Sequence, residues 1–210
     1  MTTLNKFSLI VFMAVLLPEL ASAQTAIAAF FASMPDSLIP YMSKNNRLDM
    51  IDFKESNMEA KVNNQFDKES SLEVLTQDFL RLHASEALTI EMKLLPAEED
   101  SAVVCVVNTW GTVNDVCESS IKLYDQSWNQ LTDLTSHVHD EYISSVSEGA
   151  SGRDGIGSCD FFLTASLSEQ NTDLTVTMRP ITPLTSDEKG KKRDFSLISL
   201  KWGRGTFKGY

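Results

Sequence analysis

Leu88-Thr89-Ile90-Glu91-Met92-Lys93-Leu94-Leu95-Pro96 is the stretch whose reading decides the architecture. Leu88, Ile90, Met92 and Leu94 alternate with Thr89, Glu91 and Lys93. In a pleated strand that alternation makes one apolar face and one charged face. Pro96 has no amide hydrogen to offer a ladder, so it marks the end of the strand.

The same reading extends towards the carboxyl end. Residues 102–107 are apolar throughout, as expected of a central strand covered on both sides. Ile121 and Leu123 flank Lys122. Phe161, Leu163, Ala165 and Leu167 alternate with Phe162, Thr164, Ser166 and Ser168, and the turn residues Gln170-Asn171-Thr172-Asp173 lead into Leu174, Val176 and Met178. That pair predicts a hairpin. A last strand is expected over 195–202. The glycine-rich stretch 147–158 reads as a connection between two halves of the sheet.

Ahead of about residue 70 the period is helical. Residues 25–33 are small and apolar, and Met34-Pro35-Asp36-Ser37 interrupts them. Ser37 as N-cap would put Pro40 in the first turn, where an amide hydrogen is not needed. Leu38, Tyr41, Met42, Leu48 and Ile51 then predict one bent helix or two short ones. Helices followed by strands, without strand-helix-strand repeats, predict an α+β fold: N-terminal helices packed on a largely antiparallel multi-stranded sheet. One face of that sheet is expected under helices and the other free.

The amino end reads as an address. Lys6 precedes an uncharged run over 7–17, Pro18 breaks it, and Ala21-Ser22-Ala23 supplies small residues for cleavage between Ala23 and Gln24. Residues 1–23 are thus expected to be a signal peptide and 24–210 a single domain, exported to the periplasm or beyond. The run is too short for a bilayer-spanning helix, so no stable membrane insertion is expected after cleavage. The 210 residues carry 18 Lys and Arg against 29 Asp and Glu, a net charge of -11. That balance excludes a general nucleic-acid binder, which needs clustered basic residues. Basic residues gather over 187–210, read as a solvated turn around Lys189-Gly190-Lys191-Lys192-Arg193 in preference to a tail for an anionic partner.

The block Met34-Pro35-Asp36-Ser37-Leu38-Ile39-Pro40-Tyr41, with Asn45-Asn46-Arg47-Leu48-Asp49 and Ile51-Asp52-Phe53, resembles the opening of a secreted Bacteroidales family, domain of unknown function 3256. Glu91-Met92-Lys93-Leu94-Leu95-Pro96 and Glu118-Ser119-Ser120-Ile121-Lys122-Leu123-Tyr124 with Trp128 resemble its middle section. The resemblance implies an exported α+β protein and supplies no catalytic residue.

Several groups invite chemical readings. His137-Val138-His139-Asp140, taken as extended, would aim both imidazoles at one metal ion, with His83 or carboxylates completing the set. Ser119 and Lys122 have Ser-x-x-Lys spacing, but alternation around Ile121 favours a strand. Glu98-Glu99-Asp100 and Asp140-Glu141 are paired acids that act as a pair only across a cleft. Cys105, Cys117 and Cys159 are odd in number. Cys105 reads as a buried apolar group, although a hairpin centred on Gly111 would oppose it to Cys117. Trp110 and Trp128 read as a binding platform or as core. Trp202, Phe207 and Tyr210 fail as a membrane-barrel terminus, because Lys208 and Thr206 stand where apolar residues belong.

No residue is assigned here as catalytic, cofactor-binding or metal-binding, and no cofactor is expected. The functional expectation is a non-enzymatic recognition module for a protein or glycan of the envelope. The alternatives are a secreted hydrolase, metal-assisted through His137 and His139, and a structural subunit pairing sheet edges with its own copies. The leader reading has a direct check: amino-terminal sequencing of the chain from an exporting host is expected to begin at Gln24, and a start at Met1 refutes it.

Overall fold

The computed structural model describes residues 26–97, 101–111, 117–149, 161–180 and 197–209. Ala23 and Gln24, the acidic run 98–100, Cys159, the basic run 189–193 and Tyr210 lie outside these residues. Helices α1 (Ala26–Ser33) and α2 (Lys44–Glu55) come first. Seven strands follow as an antiparallel meander: β1 (Lys61–Asn63), β2 (Glu69–Leu75), β3 (Phe79–Ser85), β4 (Leu88–Pro96), β5 (Ala102–Trp110), β6 (Glu118–Tyr124) and β7 (Gln130–Asp133). Helix α3 (Thr135–Gly149) leads to a second antiparallel sheet of β8 (Phe161–Leu167), β9 (Asp173–Pro180), β10 (Ile198–Gly203) and β11 (Thr206–Lys208), ordered β11-β10-β9-β8. The fold is α+β, as the element order predicts.

The layers follow from strand parity. Leu80, Leu82, Leu88, Ile90, Met92, Val104 and Val106 form one apolar face, closed by Ile27 and Phe31 of α1 and Met50 and Ile51 of α2. The opposite face offers Cys105, Val107, Ile121 and Leu123, which pack against Val138 and Tyr142 of α3 and against Leu163, Val176 and Leu200 of the second sheet. Strand β5 is therefore buried on both faces, which is why its sequence is apolar without alternation. The β8–β9 hairpin pairs Leu167 with Leu174, Ala165 with Val176 and Leu163 with Met178, the register its alternation predicts.

Four expectations are corrected. Helix α2 starts at the N-cap Ser43, not Ser37, because Ser43 and Asn46 form a reciprocal capping box. The segment before it is held in turns by buried Arg47, which donates to the carbonyls of Met34 (2.6 Å) and Met42 (3.0 Å) and to Asp36 Oδ1 (2.8 Å). Residues 135–149, read as polar loop and connection, form α3, with Val138 and Tyr142 facing the core one turn apart. There are two sheets, not one. The last strand also turns back through Arg204 and Gly205, both at positive φ (51° and 77°), to form β11.

The expected free face is also corrected, because the second sheet and α3 cover it. Glu91 and Lys93 stand on the charged side of β4, yet they are only 6% and 1% exposed. Edge strand β8 lies across the larger sheet there, with its outward amides unused by its own sheet. Side chains of the larger sheet accept them: Glu118 Oε2 from Leu163 N (3.1 Å), Ser119 Oγ from Ala165 N (3.0 Å) and Glu91 Oε2 from Leu167 N (2.7 Å). Glu91 Oε1 also accepts from Ser166 Oγ (3.0 Å) and Arg81 Nε (2.8 Å), while Lys93 Nζ donates to the Glu169 carbonyl (3.0 Å) and pairs with Asp78 (3.0 Å). Each charge-assisted bond of this kind contributes about 1.5–3 kcal/mol.

Glu91→Ala leaves the Leu167 amide and Arg81 Nε without their acceptor, while Arg81 Nη1 keeps Glu169. The substitution is expected to cost about 3–5 kcal/mol in denaturant unfolding, and Glu91→Gln less. Amide exchange at Leu167 should rise in Glu91→Ala before exchange at Val106 does. A loss under about 1 kcal/mol refutes this role.

Candidate functional site

Trp110 ends β5, paired with Leu88 of β4 on one side and Glu118 of β6 on the other. Alternation places Val104, Val106, Asn108 and Trp110 on the helix-bearing face. The helices cover the first two and stop short of the others. Exposure accordingly rises along the strand from 2% at Val106 to 45% at Trp110.

Neighbouring strands complete a polar strip. Ser120 of β6 lies opposite Asn108, and Lys122 lies opposite Val106, with Asp133 of β7 beyond it. Lys122 Nζ is 4.0 Å from Asp133 Oδ2. Partial burial works against the Asp133 charge, but the Thr135 hydroxyl and amide and the Lys122 ammonium outweigh it and hold the carboxyl below its usual range. Asp133 is thus ionised at neutral pH. The buried Asn108 Oδ1 has no hydrogen-bond partner among the described residues. An indole, an amide, a hydroxyl and an ion pair therefore share one sheet face, held in register by three strands.

The two tryptophans have separate fates. Trp128 is only 8% exposed, at φ 64°, and its Nε1 donates to Ser33 Oγ (3.2 Å). Its ring meets Phe30 at 6.4 Å and Tyr124 at 5.5 Å, so it closes the helix-side core. Only Trp110 is presented. Strand alternation marked its face, but nothing in the sequence showed where the helices end.

The metal reading of His137 and His139 is overturned by helix geometry. In α3 residues two apart point about 200° from one another, so the imidazoles diverge. His137 Nε2–H donates to the Phe207 carbonyl (2.8 Å), fastening β11, while His139 lies at the surface beside Asp140. No group of three His, Cys, Asp or Glu among the described residues is placed to hold a metal. Asp140 is exposed and Glu141 accepts from Gly209 N (2.9 Å), so these acids do not act as a pair. Ser119 and Lys122 sit on opposite faces of β6.

His83 is placed by pairing that sequence spacing did not show. Its Nε2 meets Glu73 Oε2 and its Nδ1 meets Thr89 Oγ1, each at 3.1 Å. The chain carboxylate–imidazole–hydroxyl is formally that of an activated nucleophile. It lies across three paired strands, and with Thr89 itself paired to both β3 and β5, the ladders use the amides around it, so none among the described residues is offered as an oxyanion site. Trp202 Nε1 donates to the Pro96 carbonyl (2.7 Å) and its ring packs on Phe207, which ties β10 to the end of β4.

The chain belongs to the family described as protein of unknown function DUF3256, whose model matches residues 20–207. Among solved structures it is similar to a domain of an uncharacterized protein from Porphyromonas gingivalis W83, at 20% identity and a TM-score of 0.63, over 89% of this chain and 98% of that one. That likeness is one of fold. No curated protein matches significantly. No helix among the described residues is long and apolar enough to cross a membrane.

Cys105 lies opposite Leu123, not Cys117, so the Gly111-centred register that would bridge the two does not form. Burial, with the Glu91 charge a smaller cause, pushes its thiol well above the ordinary range. The thiol stays protonated and unreactive at neutral pH. Iodoacetamide treatment of the native chain, followed by peptide mass mapping, is expected to leave Cys105 unmodified until denaturant is added. Rapid native alkylation refutes this burial.

Proposed function

We propose that this protein is an exported, non-enzymatic recognition module of the bacterial envelope, working through the strip around Trp110. The leader-like residues 1–23 support export, and the acidic charge speaks against nucleic acid as the partner. The observation that carries the reading is a 45% exposed tryptophan at the end of an interior strand, with Asn108, Ser120, Lys122 and Asp133 on the same sheet face. Exposing an indole opposes folding, and partner recognition is the established use of rigid exposed aromatics. Strand pairing has already fixed the backbone beneath each group, so binding on such a strip has only side chains to order.

The divergence of His137 and His139 removes the constellation on which a metal-assisted hydrolase rested. Recognition is left as the reading with a surface behind it.

Co-sedimentation of the mature chain with envelope fractions of a Bacteroidales host tests the proposal. The unaltered chain is expected to pellet with the envelope, and Trp110→Ala to stay in the supernatant with its circular dichroism unchanged. Equal pelleting of both, or pelleting of neither, overturns it.

A further inference from the structure

We infer that the ligand of the Trp110 strip is a neutral oligosaccharide; this rests on the recognition reading above and narrows it to one chemistry. The first argument is composition. The core of a protein-protein interface is a cluster of apolar side chains from which charge is depleted. Here one exposed aromatic, flanked across the strands by Leu88 and Glu118, is followed on the same face by a row of Asn108 and Ser120 and then by Lys122 and Asp133, so that polar and charged groups outnumber apolar ones along the strip. Sugars present the matching surface: a face of polarised C–H groups that suits the negative face of an indole, rimmed by hydroxyls that both donate and accept.

Spacing agrees. Neighbouring strands lie about 4.8 Å apart and same-face residues along a strand about 6.8 Å apart, the scale of a pyranose ring and of its link to the next. A short glycan over Trp110 would meet the Asn108 and Ser120 row first and the Lys122 and Asp133 row next.

Charge decides between neutral and acidic sugars. Among the described residues the one cation of the strip, Lys122, is already paired with Asp133, whose carboxyl is held ionised. The whole chain carries -11. A sulfated or uronic polymer would meet repulsion, with no unpaired cation among the described residues of the strip to offset it.

Titration of the full mature chain with cello-, malto-, manno- and chito-hexaose, followed by tryptophan fluorescence and calorimetry, tests the inference. At least one neutral hexaose is expected to bind, with affinity falling about tenfold or more in Trp110→Ala and several-fold in Asn108→Ala. Phe66→Ala, which removes an exposed ring from the distant β1–β2 turn, should bind as the unaltered chain does. Dextran sulfate should not compete. Failure of every hexaose near millimolar concentration, binding indifferent to Trp110→Ala, or effective competition by dextran sulfate overturns the inference. Envelopes oxidised with periodate separate the two proposals. If Trp110-dependent co-sedimentation survives oxidation, recognition stands and the sugar does not; if it is lost, both are supported.

Discussion

The outward amides of β8 are the constraint on which the arrangement depends. An edge strand that is buried must find acceptors for its free N–H groups, and this one finds them on the side chains of another sheet. That requirement explains why a strand in the middle of the larger sheet carries Glu91 and Lys93 on a buried face. Arg81 keeps Glu91 from being an isolated buried charge, and Lys93 completes the contact at the Glu169 carbonyl. Burial of Leu163, Ala165 and Leu167 supplies the driving force, while Glu118, Ser119 and Glu91 fix where along the sheet β8 settles. Apolar contact alone would let it slide.

The same residues show how far sequence reasoning reaches. Period-two alternation identified β4, β5, β8 and β9, and for the β8–β9 hairpin it also gave the register, since one face had to be buried. Alternation at Thr89, Glu91 and Lys93 was read as a face towards water, which is the commoner meaning of charge. Its actual meaning depends on a strand more than seventy residues later, and no local pattern carries that information. Helix α3 was hidden differently. Its apolar residues Val138, Tyr142 and Ile143 form a narrow stripe within a polar sequence, and the neighbouring histidines drew an extended reading instead. At α2 the N-cap was read at Ser37; the capping box of Ser43 with Asn46, and Arg47 holding the preceding segment in turns, place it at Ser43 instead.

For the candidate site, the sequence singled out Trp110 and Trp128 together and could not separate them. Separation needed the third dimension: Trp128 follows a turn at positive φ that swings its ring under α1, whereas Trp110 ends a strand beyond the helices. Lys122 and Asp133 become neighbours only through β6–β7 pairing. The glutamate, histidine and threonine chain on the other face arises in the same way, across three strands.

The exposure of the strip follows from the number of elements available to cover the sheet. Helices of 8 and 12 residues are about 12 and 18 Å long, and each is about 10 Å across. Seven strands at about 4.8 Å spacing make a surface roughly 30 Å wide, with the 9-residue strands β4 and β5 also about 30 Å long. Two such helices cannot cover that face. The short link from Glu55 to Lys61 ties α2 to the β1 edge, so the uncovered part must fall towards β5–β7. At the covered end the β5 side chains are valines; at the open end they become Asn108 and Trp110. Solubility explains the asparagine. The indole adds apolar surface that the pairing of β5 does not require, and the proposed recognition role would use it.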